Sequence, residues 1–364
     1  MTRADSMAPK VRTLRLEGAM MLESGVVLPQ VDVTFTTYGE LDRTQDNVVW
    51  ILHPLTCNAN PLDWWASAVG PGRAIDPAEC FVVCVNALGS CYGTTGPTSL
   101  DPATGKRYGR GFPMVTVRDV VAVHDAVRKH LGVARIRLGL GGSFGGQQLL
   151  EWMASAPGLF DYAGVIGATA QQSPWATAWN ETQRMALQAD ATFVADSPGG
   201  GVAGLAAARA MAVMTYRSAA AYARAQGEGD SRPFDGLKAS GYQRHLGASF
   251  VRRYDPHAYW TMTKAMDSHD VARGRGAVGP ALAPVTTRTL MIGLADDLLF
   301  PCTEVAATAA ALPFGEFLVI ESDHGHDSIL TRAEEIAGAV ARFACLSGDS
   351  HKHGTSEATM EQYA

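Results

Sequence analysis

The chain has 364 residues, of which 47% are hydrophobic and 18% charged, and a formal net charge of −6. That content supports a large buried core, and the length predicts two domains or one large domain carrying an insertion. The acidic balance argues against nucleic acid or an anionic membrane as the main partner.

The N-terminus (Met1-Thr-Arg-Ala-Asp-Ser) lacks a charged region followed by an apolar one, and no run of about 18 apolar residues occurs. The reading is therefore a cytoplasmic protein with neither export signal nor membrane span. Cys57, Cys80, Cys84, Cys91, Cys302 and Cys345 lie mostly in apolar or glycine-rich text and read as reduced thiols, with no metal motif among them.

Residues 1–10 and 347–364 read as disordered tails, His351 and His353 being solvated there rather than metal ligands. From Val31 to Tyr38 the pattern alternates like an antiparallel strand, and the turn follows at Gly39 to Asn47. Val48 to His53 and Phe81 to Asn86 are nearly continuous apolar runs, the sign of strands covered on both faces. Val115 to Leu131 predicts a helix with one apolar stripe, closed by Gly132. Strand text returns at Ile136 to Leu140 and at Ala163 to Ala168. The texture then changes. From about 171 to 284, Trp, Met, Ala and Arg recur at helical spacing. Strands resume at Thr287 to Gly293 and Phe317 to Ile320, and a last helix runs from about Thr331 to Cys345. Alternating β and α elements at 11–170 and 285–346 thus predict a parallel-sheet core, interrupted by a helical block at 171–284.

Chemistry concentrates at Gly141-Gly142-Ser143-Phe144-Gly145, which fits G-x-S-x-G between a strand and a helix predicted to begin near Gly145. Such a turn lifts a serine hydroxyl above the end of a sheet, and its glycines leave room where Cβ atoms would collide. The Phe144 N–H at the helix start is an oxyanion donor. A serine needs a base and an orienting carboxylate, placed in the order Ser, Asp/Glu, His at strand ends. Asp296-Asp297 follows one late strand, and His324-Gly325-His326-Asp327 follows the next. Each offers two choices. The loop His53-Pro54-Leu55-Thr56-Cys57 supplies the second oxyanion donor. Pro54 has no N–H, so Leu55 is the donor.

These residues resemble the homoserine O-acetyltransferase family of α/β-hydrolase-fold acyltransferases, over about Val31 to Phe343. The motifs that carry the resemblance are Leu-His-Pro-Leu-Thr at 52–56, Gly-Pro-Gly-Arg-Ala at 70–74 and Asn-Ala-Leu-Gly-Ser-Cys-Tyr-Gly-Thr-Thr-Gly-Pro at 86–97. Others are Phe-Pro-Met-Val-Thr-Val-Arg-Asp at 112–119, the serine turn, Asp297-Leu-Leu-Phe-Pro and Gly325-His326-Asp327. The resemblance implies a mostly parallel central sheet flanked by helices with an inserted all-helical lid. It implies Ser143, Asp297 and His326 as the triad, Arg209 for a substrate carboxylate, and Asp327 for an amino group. Tyr216 and Thr56 would line the same pocket. It further implies acetyl-CoA as co-substrate with no permanently bound cofactor, L-homoserine as acceptor in methionine biosynthesis, and a homodimer.

The chain departs from many homoserine enzymes at the oxyanion turn, reading Pro54-Leu-Thr-Cys57 rather than Ala-Leu-Thr-Gly. A shorter pocket there would favour L-serine, and a succinyl donor stays open. One methylene is worth only about 1–3 kcal/mol of discrimination. An ester or thioester hydrolase is the reading from another enzyme class, and a non-catalytic binding protein a third. Cys57 has no neighbour in sequence that would lower its pKa enough for a second nucleophile. Arg252, Arg253, Arg273 and Arg275 read as solvated charge, with CoA phosphates the other use for them.

Overall fold

The computed structural model describes residues 8–197, 199–228 and 236–346. In chain order it opens with strand β1 (Lys10–Arg15), the two-residue strands β2 (Met20–Met21) and β3 (Val27–Leu28), and then β4 (Asp32–Tyr38), β5 (Val48–Leu52) and β6 (Phe81–Val85). Helix α1 (Val117–His130), β7 (Ile136–Gly142), α2 (Phe144–Ser155) and β8 (Phe160–Ile166) follow. Seven helices come next: α3 (Pro174–Gln188), α4 (Ala191–Val194), α5 (Val202–Val213), α6 (Ala219–Gln226), α7 (Lys238–Phe250), α8 (Pro256–Asp267) and α9 (Val278–Leu282). The chain then returns to the sheet through β9 (Arg288–Leu294), α10 (Cys302–Ala311), β10 (Gly315–Ile320), α11 (Ser328–Thr331) and α12 (Ala333–Phe343).

Eight strands form one sheet in the order β1-β4-β6-β5-β7-β8-β9-β10. Within it every pairing from β6 to β10 is parallel, while β1 with β4 and β4 with β6 run antiparallel; β2 and β3 form a separate antiparallel pair. The apolar runs explain the layering. On β5, Val48, Trp50 and Leu52 join the core on one face while Val49 and Ile51 join the core on the other. Phe81, Val83 and Val85 alternate in the same way with Val82 and Cys84 on β6. Helices α1 and α2 cover the first face through Val120, Val127, Leu149 and Trp152, and α12 covers the second through Ile336 and Val340. Helix α1 begins at a capping box, Thr116 accepting from the Asp119 N–H and Asp119 from that of Thr116.

The helices predicted across 171–284 are found as α3 to α9, and their core is continuous with the first face through Leu205, Ala208, Phe250, Tyr259 and Met262. Two expectations are corrected at the N-terminus. Residues 8–10 are ordered rather than part of a tail, Lys10 opening β1, and β1 itself was not foreseen. Its sequence, Lys-Val-Arg-Thr-Leu-Arg, leaves four of six residues exposed, so an edge strand with little to bury carries no apolar signature. Residues 1–7 and the predicted tail at 347–364, with His351 and His353, lie outside the described residues.

Candidate active site

Parallel strands deliver their C-terminal ends to one side of the sheet, and four loops meet there. At the end of β7 the chain reverses into α2 through Ser143, whose backbone is left-handed at φ +54°. A non-glycine residue in such a region costs about 1–3 kcal/mol and persists only where its surroundings impose it. Here the Ser143 N–H donates to the Ile166 carbonyl (2.8 Å), and the Ser143 carbonyl accepts from the Gln147 N–H (3.1 Å). The glycines act sterically. A Cβ on Gly145 would stand 2.0 Å from the Leu52 carbonyl oxygen, and one on Gly141 2.3 Å from that of Gly145. The helix start is thereby pressed against the end of β5. Helix α2 begins at Phe144 rather than Gly145, and Ser143 spends no side-chain bond on capping it. The first-turn N–H groups, that of Phe144 foremost, therefore have no acceptor inside the helix.

The hydroxyl instead meets the base. Ser143 Oγ is 2.9 Å from His326 Nε2, and His326 Nδ1 is 2.7 Å from Asp297 Oδ2. The other carboxylate oxygen, Oδ1, accepts from the N–H groups of Leu299 (2.8 Å) and Phe300 (2.9 Å), locking Asp297 in place. A buried carboxylate on Nδ1 selects the tautomer that leaves Nε2 free to take the serine proton. The rings of Phe300 and Tyr216 lie 5.5 and 5.7 Å from the imidazole. Of the two ambiguous pairs, Asp296 turns outward on a left-handed backbone and is exposed, while His324 bonds Thr331 Oγ1 (3.1 Å).

The loop after β5 faces this group. His53 is fully buried, and burial lowers its pKa to about 4, so the ring is neutral. Its Nδ1–H donates to the Pro54 carbonyl (2.8 Å) and its Nε2 accepts from the Ala87 N–H (3.1 Å). The Cys57 N–H also donates to the Pro54 carbonyl (3.1 Å), closing a tight turn. Because a trans peptide points N–H opposite C=O, holding the Pro54 carbonyl inward turns the Leu55 N–H the other way. Cys57 is buried, and burial pushes its thiol up to about 12, which leaves it inert as a nucleophile.

The helical block supplies the remaining wall. Arg209 on α5 is 1% exposed, its guanidinium 4.9 Å from the Phe250 ring centroid and 5.4 Å from that of Tyr216. A helix arginine so deeply placed is not surface charge. Asp327 is buried next to the base, and its Oδ2 accepts from Arg217 Nε (2.7 Å). Arg217, directly after Tyr216, carried no signal in the sequence. Thr56 is buried in the turn, its carbonyl held by Arg253 Nη1 (2.8 Å). So Arg253 is not solvated charge. Arg273 pairs with Glu23 (2.8 Å) and Arg275 with the buried Glu151 (2.7 Å), so neither is simply solvated charge. Arg252 is exposed and donates to Ser249 Oγ. Among the described residues no group of three or more His, Cys, Asp or Glu side chains could hold a metal ion.

Comparison with known proteins places the chain by fold and by family. A family model described as alpha/beta hydrolase fold matches residues 51–199. A homoserine O-acetyltransferase from Cyclobacterium marinum is 40% identical over 318 residues, covering 87% of this chain and 90% of its own. Among solved structures, a homoserine O-acetyltransferase from Bacillus anthracis superposes with a TM-score of 0.86 at 24% identity, over 92% of this chain and 97% of its own. The esterase E22 superposes with a TM-score of 0.84 at 22% identity, over 93% of this chain and 100% of its own. At such identities the two superpositions bear on the fold alone, a frame that serves a transferase and an esterase equally. The relative matched along nearly its whole length decides between them: the chain belongs to the homoserine O-acetyltransferase family, acyltransferases built on the α/β-hydrolase fold.

Proposed function

We propose that the protein transfers an acetyl group from acetyl-CoA to the side-chain hydroxyl of L-homoserine by a two-step mechanism centred on Ser143. The observation that carries the reading is the unbroken chain Ser143–His326–Asp297, at 2.9 and 2.7 Å, in a member of this family. His326 Nε2 takes the Ser143 proton as Oγ attacks the thioester carbonyl carbon, and the oxyanion is received by the N–H groups of Phe144 and Leu55. The C–S bond breaks, the proton passes from His326 to the sulfur, and free CoA thiol leaves an acetyl ester on Ser143. The acceptor hydroxyl then gives its proton to His326 and attacks that ester. The bond to Oγ breaks and Ser143 recovers the proton.

In this reading Arg209 holds the acceptor carboxylate, with the bidentate geometry guanidinium offers. Asp327 holds the ammonium group, and Tyr216 and Thr56 line the pocket. Helices α3 to α9 serve as the lid that keeps water from the acyl-enzyme. Their exposed Trp175, Met185, Val202 and Met214 support a homodimer through this block. No helix among the described residues is long and apolar enough to cross a membrane.

The test follows thiol release from acetyl-CoA with homoserine, with serine and with no acceptor, and looks for a Ser143 acetyl adduct by mass spectrometry. Homoserine-dependent turnover, with the adduct present in wild type and absent in Ser143→Ala, is the expected result. Thiol release indifferent to acceptor would make the protein a hydrolase, and a preference for serine would reassign the acceptor.

A further inference from the structure

The turn Pro54–Cys57 is held from a side that the triad does not explain. Its Leu55 carbonyl accepts from Tyr254 Oη–H (3.2 Å), and its Thr56 carbonyl accepts from Arg253 Nη1 (2.8 Å). These donors are consecutive residues lying between α7 and α8, almost 200 positions along the chain. Both are themselves fixed. Tyr254 is buried and stacked on Phe250 (5.2 Å, 13°), with Tyr259 and Tyr92 edge-on to it. Burial raises its phenol well above the ordinary value, so it stays a donor. The Arg253 guanidinium lies 4.9 Å from the Phe250 ring centroid and also donates to Tyr92 Oη (3.0 Å).

With the His53 bond to the Pro54 carbonyl, three successive carbonyls of the turn are each taken by a donor. In a trans peptide the orientation of a carbonyl sets that of the N–H across the same bond. Tyr254 acts on the central peptide of this four-residue turn, the unit that rotates when one turn type converts to another. We propose that Arg253 and Tyr254 are positioning residues of the oxyanion hole: the helical insertion holds the two peptides that follow Leu55 by their carbonyls and so keeps the turn in the one form in which the Leu55 N–H, opposite the Pro54 carbonyl that His53 holds, is presented to the acyl oxygen. This rests on the proposed acyl transfer through Ser143.

The experiment compares Tyr254→Phe, Arg253→Met and Arg253→Lys with wild type. Acyl-enzyme formation is followed as a burst with both acetyl-CoA and 4-nitrophenyl acetate. Binding of a trifluoromethyl ketone analogue of acetyl-CoA, which forms a tetrahedral oxyanion on serine, is set against binding of free CoA. Losing an oxyanion donor outright costs about 100- to 1,000-fold, so a misdirected one should cost less. We expect acylation slowed about 10-fold in Tyr254→Phe and about 30-fold in Arg253→Met, partial rescue by Arg253→Lys, ketone affinity falling in parallel and CoA affinity unchanged. Acylation within two-fold of wild type, or equal losses in ketone and CoA affinity in variants that melt like wild type, would overturn the assignment. A wild-type burst with the nitrophenyl ester but none with acetyl-CoA would instead sink the transferase reading, leaving the clamp testable on the ester.

Discussion

The sheet side and the helical side of this site are built on different principles. On the sheet side the positions of Ser143, Asp297 and His326 follow from the backbone, since each stands just beyond the C-terminal end of a parallel strand. Glycines at 141 and 145 are required because no Cβ fits. On the helical side Arg209, Tyr216, Arg217, Arg253 and Tyr254 come from α5 and from connections between helices, and long-range packing and hydrogen bonds bring them to the site. On the proposed function, such a division would let one half keep the reaction while the other sets what is recognised and how firmly the reactive turn is held.

The sharpest way to test that division is within one dipeptide. Asp297→Asn should lower kcat by about 10,000-fold by presenting an amide to His326 and favouring the wrong tautomer. Asp296→Asn, exposed and pointing away, should change kcat less than two-fold, although the two are neighbours in sequence. Steady-state kinetics on the pair checks it, and a large effect at 296 would mean that strand-end geometry does not govern the triad.

A smaller effect, confined to recognition, is expected from the other half. Arg209→Met should reduce kcat/KM for the amino acid by about 100- to 1,000-fold, the range for removing one partner of a buried charged hydrogen bond. Acetylation of Ser143 by the thioester alone should stay within a few-fold of wild type. Equal losses in both half-reactions would dissolve the distinction between the two sides.

The mildest expectation concerns pH and spans both regions. His53 beside the turn, His124 under the sheet and His269 after α8 are all buried and neutral, burial lowering their pKa values to about 4, 3 and 4. Above the unfolded value, about 6.5, their contribution to stability is complete. As pH falls from there toward 4 the unfolded chain takes up protons that the folded one refuses, so stability declines. Calorimetry from pH 8 to 4.5 should show Tm falling by several degrees below pH 6. A constant Tm over that interval would contradict the burial of these rings.

The same contrast governs what could be read without coordinates. The serine turn, the two late strands and the pairs Asp296/Asp297 and His324/His326 were legible because steric demand and strand order leave local marks, while the choice within each pair came from family resemblance. The helical block at 171–284 was recognisable, and Arg209 only through family resemblance, since an arginine on a helix reads first as solvent-facing. Arg217 left no trace, and Arg253 read as solvated charge. Arg217 acts on a carboxylate 110 positions away and Arg253 on a carbonyl 197 positions away, and neither partner shapes the residues around it. Strand β1 was missed for the opposite reason, having almost nothing to hide.

The loop that carries His326 is sewn to the helical block. The Asp327 N–H donates to the Tyr216 carbonyl (3.0 Å), Ser218 Oγ donates to the Asp323 carbonyl (2.6 Å), and Arg217 holds the Asp327 carboxylate. A roof riveted to the general base cannot swing open like a hinged door without dragging that base from the nucleophile.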